Sequence, residues 1–155
     1  MIILILQDSH TIDIRGECVE KIEWTKELAT GIEDIDSQHK VFIRDCAEIA
    51  TCADKCLESL KVIAKIKKLE RDADAHFSTE GRIMAASMYP DKQGHYKLHA
   101  HFLDELRKIK ARAESGETGH EFAADIKERL ADWFILHIKK NDIKMASYIV
   151  NKKGE

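Results

Sequence analysis

The sequence predicts an all-α fold, an antiparallel up-down-up-down four-helix bundle with an extra N-terminal segment. Three observations carry this expectation. Of the 155 residues 34% are charged, 6% are aromatic and one is proline, a balance that suits exposed amphipathic helices better than sheets. From Asp36 onward, apolar residues recur at helical spacing. The breaks in that periodicity are short and marked by proline or glycine, so consecutive helices are expected to run antiparallel. The length is that of one domain able to bury a core without disulfide staples.

Residues 1–22 differ in texture from the rest. The apolar run Ile2 to Leu6 is followed by polar Gln7-Asp8-Ser9-His10, then by alternating Thr11-Ile12-Asp13-Ile14-Arg15 before Gly16, which reads as a short hairpin. An isolated two-stranded hairpin is marginal in water, so an ordered one must lie on the bundle or on a partner. Residues 23–155 form the bundle. In helix one, Phe42, Ile43, Cys46, Ile49, Ala50 and Ala53 share a side with His39. Helix two runs from about Leu57 to Met84 through Leu60, Ile63, Ala64, Ile66 and Leu69, and stops before Tyr89-Pro90, where proline disfavours helix in the residue before it. Helix three runs from about Lys92 to Ala113 and ends at the glycine-bracketed Ser115-Gly116-Glu117-Thr118-Gly119. Helix four runs from about His120 to Lys140, with a further helical piece through Ile149.

Composition excludes several function classes. The net charge of −3 with interspersed signs offers no basic stripe, so nucleic acid is not an expected partner. Ile2 to Leu6 is too short to span a bilayer and lacks the basic flank and cleavage site of a secretory signal, which makes the cytoplasm the expected location. Cys46, Cys52 and Cys56 crowd into one helical segment, and Cys18 stands apart. Cys52 and Cys56 lie one turn apart, as a metal edge or redox pair would, but no second Cys/His pair accompanies them, and small buried hydrophobes are the expected reading.

The chemistry-bearing residues lie on the helices. His76 and Glu80 are four apart on helix two, and His95 and His99 four apart on helix three. Four residues advance about 400°, so each pair projects from one face on successive turns. Helix one adds His39, and helix four adds His137 with Asp142 just beyond it. Five imidazoles and two carboxylates exceed one tetrahedral zinc and suit two six-coordinate ions sharing carboxylates. One histidine on an apolar face is ordinarily a satisfied core residue. Burying all seven groups without a cation would leave many unsatisfied polar atoms, at about 1–3 kcal/mol each.

Gly31-Ile32, Asp36-Ser37-Gln38-His39-Lys40, His76-Phe77-Ser78-Thr79-Glu80, Tyr89-Pro90 followed by His95, His99 and Phe102, and Trp133-Phe134-Ile135-Leu136-His137-Ile138 with Asp142 together resemble the bacterial hemerythrin family in order and spacing. The resemblance covers Trp24 to Asp142. It implies two non-haem iron ions per chain, one held by His95, His99 and His137, the other by His39 and His76. Glu80 and Asp142 would bridge them together with an oxo or hydroxo group. The two-histidine iron would keep a position open for dioxygen, so the implied activity is reversible oxygen binding for storage, delivery or scavenging, with no catalytic residues. A redox or oxygen sensor acting through a protein partner, and a di-iron enzyme reducing peroxide, nitric oxide or nitrite, are the alternatives. A histidine-rich site donates less negative charge than the carboxylate-rich sites of ferritin-like oxidation enzymes, which favours carriage.

Some features depart from the family pattern. Gly81 follows Glu80 where an acid is usual. Phe134 stands where the family often has a leucine lining the oxygen pocket, and its larger ring is expected to narrow access or alter autoxidation. His101, two residues from His99, is expected to point away as a solvated surface histidine. Residues 1–22 leave self-association or docking to a protein partner open. His137 and Asp142 pose a geometric problem, since five residues place them about 140° apart on a regular α-helix. If both are ligands, the helix must contain a π-type turn or end near Lys139 to Asn141. Otherwise Asp142 is a solvated acid or a helix cap.

Overall fold

The computed structural model describes residues 10–12, 18–20, 22–55 and 59–153. Two short strands, β1 (His10–Ile12) and β2 (Cys18–Glu20), pair antiparallel with His10 opposite Glu20 and Ile12 opposite Cys18. The Ile2 to Leu6 run, the Asp13-Ile14-Arg15-Gly16 stretch and Cys56 lie outside the described residues. A 3-10 turn at Lys26–Leu28 then seats Leu28 in the core, and Ile22 and Trp24 pack on the same cluster. The Lys40 ammonium lies 4.5 Å above the Trp24 ring, which ties this approach to the first helix.

Helix α1 (Glu33–Asp54) opens with Glu33, Asp34 and Asp36, acids that favour the positive end of the helix dipole. Asp36 also fixes the preceding turn. Its carboxylate accepts from the Thr30 N–H at 2.7 Å, the Thr30 hydroxyl at 2.8 Å and the Gly31 N–H at 3.1 Å. The buried face carries Ile35, His39, Phe42, Ile43, Cys46, Ile49 and Ala53, close to the expected stripe, while Cys52 is half-buried.

Helix α2 (Ser59–Ser87) departs from the sequence reading. Leu60 is 76% exposed and Ala64 is exposed, while Val62, Ile66, Leu69, Ala73, His76, Phe77, Glu80 and Met84 are buried. The helical row running back from Glu80 passes through Val62, so Leu60, two residues away, falls on the opposite side. The helix ends in a Schellman motif: the Tyr89 N–H donates to the Met84 carbonyl at 2.9 Å and the Met88 N–H to the Ala85 carbonyl at 3.2 Å. Met88 therefore takes the left-handed position, at φ 54°, with its side chain mostly in solvent. The same motif closes α3 (Lys92–Glu114), but there Gly116 occupies the left-handed position at φ 90°. A β-carbon costs about 1 kcal/mol in that conformation, so Met88→Gly is expected to raise unfolding stability by about that amount. Chemical denaturation of both proteins would measure it; an unchanged or lower midpoint would show that the motif tolerates methionine without strain.

The fourth rod is continuous through residues 120–153 but not uniformly α-helical. The α-helical pieces α4 (His120–Ile126), α5 (Trp133–His137) and α6 (Ile143–Lys153) are joined by π-helical segments at Lys127–Asp132 and Ile138–Asp142. All junction residues keep right-handed helical dihedrals, so the rod does not break. Each π segment is spanned by a side-chain pair five residues apart, Lys127 with Asp132 at 2.7 Å and His137 with Asp142 at 3.0 Å.

Two apolar clusters bracket the middle of the bundle. Phe42, Phe77, Phe102 and Phe134 belong to the larger one; Ile35, Met84, Tyr89, Met145 and Ile149 form the other. His39 lies between Ile35 and Phe42 in sequence, Glu80 between Phe77 and Met84, and Asp142 between Ile138 and Met145. The polar layer is thus sealed along the bundle axis from both ends.

Candidate metal centre

All seven donors singled out in the sequence converge in that layer, and each is buried, with at most 4% of its surface exposed. Their donor atoms form two groups, each held within 4.8 Å, that could each hold a metal ion: Glu80, His95, His99 and His137 in one, His39, His76, Glu80 and Asp142 in the other. Glu80 Oε2 lies 3.0 Å from His99 Nε2, 3.3 Å from His95 Nε2 and 3.7 Å from His76 Nε2, so one carboxylate faces both groups. Asp142 divides its oxygens between them. Oδ1 is 3.0 Å from His137 Nε2 and 3.3 Å from His95 Nε2, and Oδ2 is 3.2 Å from His39 Nε2.

The π-helical segment at Ile138–Asp142 is what brings Asp142 inward. The Ile143 N–H donates to the Ile138 carbonyl, a step of five residues, and this wider turn puts His137 and Asp142 side by side. The uninterrupted α-helix that would have left Asp142 in solvent is absent.

Several contacts suit a bound cation. His99 Nε2 and His137 Nε2 face each other at 3.2 Å. Both Asp142 oxygens, Glu80 Oε1, His76 Nε2 and both His39 nitrogens are buried without a hydrogen-bond partner. Six such atoms at about 1–3 kcal/mol each would be a heavy burden for a 155-residue domain. Metal ions within the two groups would take up the inward-facing ones, His39 Nε2, His76 Nε2 and the carboxylate oxygens, so the donor set fits a binuclear centre.

Neighbours that sequence reasoning did not single out orient the ligands. His76 Nδ1 lies 3.0 Å from Gln38 Oε1, which fixes Nδ1 as the protonated nitrogen and leaves the Nε2 lone pair directed inward. Gln38 is itself held by Thr79 at 3.2 Å. His137 Nδ1 meets the Asn141 side-chain amide at 3.4 Å, where the amide orientation presenting oxygen would do the same. Phe77 stacks on His99 at 3.8 Å and 14°, and Trp133 on His137 at 4.9 Å and 10°. Gln38, Phe77 and Trp133 were visible in the motif, but nothing in one sequence tells a second-layer partner from a core residue.

The remaining departures find physical reasons. Tyr96 lies across Gly81 and donates to its carbonyl at 3.4 Å; a β-carbon at position 81 would come within 3.2 Å of the Tyr96 hydroxyl oxygen, so an acid there would crowd that ring. His101 is exposed and directed away from the donors, beside Trp133. Phe134 is fully buried, 5.4 Å from the His39 ring and 5.6 Å from the His76 ring, and stacks on Phe42 at 3.7 Å.

Burial and charge oppose each other across the site. Burial pushes His76 down to about 4, and it also depresses His99. Burial disfavours charge on His95 too, but Asp142 and Glu80 outweigh it and lift His95 to about 9. Burial and Asp142 oppose charge on Glu80, yet His95, His99 and His76 hold it down at about 2. Without metal, His95 therefore carries a proton at pH 7 that a coordinating ion must displace. Zinc or ferrous titration at pH 7 is expected to release that proton, and metal affinity to rise with pH until about 9 and then level off. An indicator-dye titration showing no release at pH 7 would mean His95 is already neutral.

Residues 30–149 match the family model described as the hemerythrin HHE cation binding domain. Similar proteins include a bacteriohemerythrin of Pseudomonas paraeruginosa, 27% identical over 119 residues that cover 77% of this chain and 75% of the relative. A myohemerythrin of Theromyzon tessulatum is 27% identical over 128 residues, covering 83% and 93%. A myohemerythrin of Sipunculus nudus is 28% identical over 124 residues, covering 78% and 88%. With both donor groups formed inside the matched span, this chain belongs to the hemerythrin family.

Proposed function

We propose that the chain binds dioxygen reversibly at a non-haem di-iron centre, with His95, His99 and His137 holding one iron, His39 and His76 the other, and Glu80 and Asp142 shared between them. The observation that carries this reading is the asymmetry of the donors. Three imidazoles serve one group and two serve the other, while both carboxylates face both groups. The His39/His76 side therefore has room for one small ligand. Bound iron would supply the electrons and the vacant coordination position that dioxygen needs. The protein's part is to keep that position dry. Phe134 and Phe42 wall the His39/His76 side with apolar rings, which suits a small neutral diatomic and disfavours water and larger polar molecules. Gln38 holds the His76 ring in the tautomer that ligates.

Among the described residues no helix is long and apolar enough to cross a membrane, and we place the protein in the cytoplasm. Residues 1–22 we read as an extension to the bundle of residues 23–155, available for self-association or a protein partner. The testing experiment is the optical spectrum of the reduced, iron-loaded protein exposed to oxygen and then to vacuum. A ligand-to-iron charge-transfer band that appears and disappears reversibly is the expected result. Irreversible oxidation with turnover of peroxide, nitric oxide or nitrite would replace carriage with enzymatic reduction. One zinc per chain after iron-replete expression would overturn the di-iron assignment.

A further inference from the structure

The ligands differ in how they connect to the surface. His39 and His76 sit behind Phe42 and Phe134, and His99 behind Phe77, whose stacked ring is itself buried among Phe42, Phe102 and His76. His137 is different. Trp133, half-buried, lies face to face on it with centroids 4.9 Å apart and planes 10° from parallel, and the exposed His101 ring lies 6.1 Å beyond Trp133. Among the described residues this is the one stacked aromatic plate on a candidate ligand with a solvent-exposed ring beside it.

Such a route has a use, because ferrous iron that meets oxygen is occasionally left ferric, and a ferric pair has no electrons to give to dioxygen. We propose that Trp133 is the electron port of the centre, through which a one-electron carrier docked at the His101 face returns the ferric pair to the ferrous state. The inference rests on the di-iron reading above. Each transfer oxidises the carrier by one electron and reduces one ferric ion to ferrous, so two transfers restore the pair. Trp133 is neither oxidised nor protonated in the step. Its π system provides the coupling, replacing a gap that would otherwise be crossed through saturated side chains or space, and tunnelling falls exponentially with such gaps. Trp133 is thus a positioning residue for electrons as well as a plate that orients the His137 ring.

The test uses the iron-loaded full chain with a ruthenium polypyridyl photoreductant attached to His101, His10 and His120 being replaced by glutamine. A second preparation carries the label on His120, with His10 and His101 replaced. His120 starts the fourth rod beside Asp54, about 25 Å along the helix from His137. Flash reduction of the ferric centre is expected to be much faster from His101 than from His120. Measured per centre that retains two irons, Trp133→Leu should slow the His101 route by roughly an order of magnitude, and Trp133→Phe, which keeps a ring on His137, should slow it less. An unchanged rate in a Trp133→Leu protein that retains two irons would overturn the port. Should that variant lose iron, equal rates from the two labels in proteins retaining Trp133 would overturn it as well. Absence of iron from the unsubstituted protein would instead overturn the di-iron reading.

Discussion

Replacing His137 by alanine is expected to remove iron and stability together. His137 Nε2 is 3.0 Å from Asp142 and 3.2 Å from His99 Nε2, and its ring is the surface on which Trp133 stacks. Truncation leaves Asp142 and Glu80 as buried carboxylates with fewer compensating groups, a change that costs about 3–5 kcal/mol in comparable buried pairs. Metal-linked stabilisation goes with it, because ligands drawn from all four rods make binding free energy partly folding free energy. A melting temperature lower by about 6–20 °C is expected for a domain of this size. Glu80→Ala should behave the same way, since Glu80 faces both donor groups. His101→Ala, at an exposed position outside the donor set, should change neither iron content nor melting temperature. Iron analysis with thermal denaturation on the three variants decides it, and iron loss in the His101 variant would show that the α3 ligands are misassigned.

Phe134→Leu is expected to open the small-ligand side of the centre. Phe134 has no exposed surface and stands between the His39 and His76 rings and Phe42. Leucine is shorter and not planar, so the stack on Phe42 is lost and a small cavity forms beside the two-histidine group. The stability cost should be about 1–2 kcal/mol, well below the 3–5 typical of truncating a buried phenylalanine to alanine. Access should change far more than stability. Azide, an anion larger than dioxygen, is expected to bind the ferric form several-fold faster in the variant, and the oxygen adduct should decay faster because water also enters. Stopped-flow azide binding and the lifetime of the oxygenated spectrum measure these. Rates equal to those of the unsubstituted protein would mean that ligands reach the site by another face and that Phe134 is only core.

Most of the candidate site was legible in the sequence because its residues, Asp142 excepted, obey helical arithmetic. His76 with Glu80 and His95 with His99 share a face at four-residue spacing, and that spacing survives whatever the tertiary packing. The stop before Tyr89-Pro90 and the Gly116 turn were legible for a similar reason, since proline and glycine act on the backbone locally. The phase of α2 was harder. Leu60, Ile63 and Ala64 look like a stripe until His76 and Glu80 are used to set the inward direction, and Leu60 then turns to solvent.

By itself the sequence determined the four-rod architecture and the seven candidate donors, because both follow from periodicity and from the cost of burying unpaired polar groups; it required a non-α turn between His137 and Asp142 only if both were ligands, with a solvated acid or a helix cap as the alternative for Asp142. The tertiary structure decided what depends on contacts between rods. It chose a π-helical segment at Ile138–Asp142 over a helix end, added a second at Lys127–Asp132 that no local signal announced, and set Gln38 on His76, Trp133 on His137 and Phe134 against the two-histidine side. A helix can absorb one extra residue in many places at similar local energy. Packing against three neighbouring rods selects the place, and that information is not carried by any one segment.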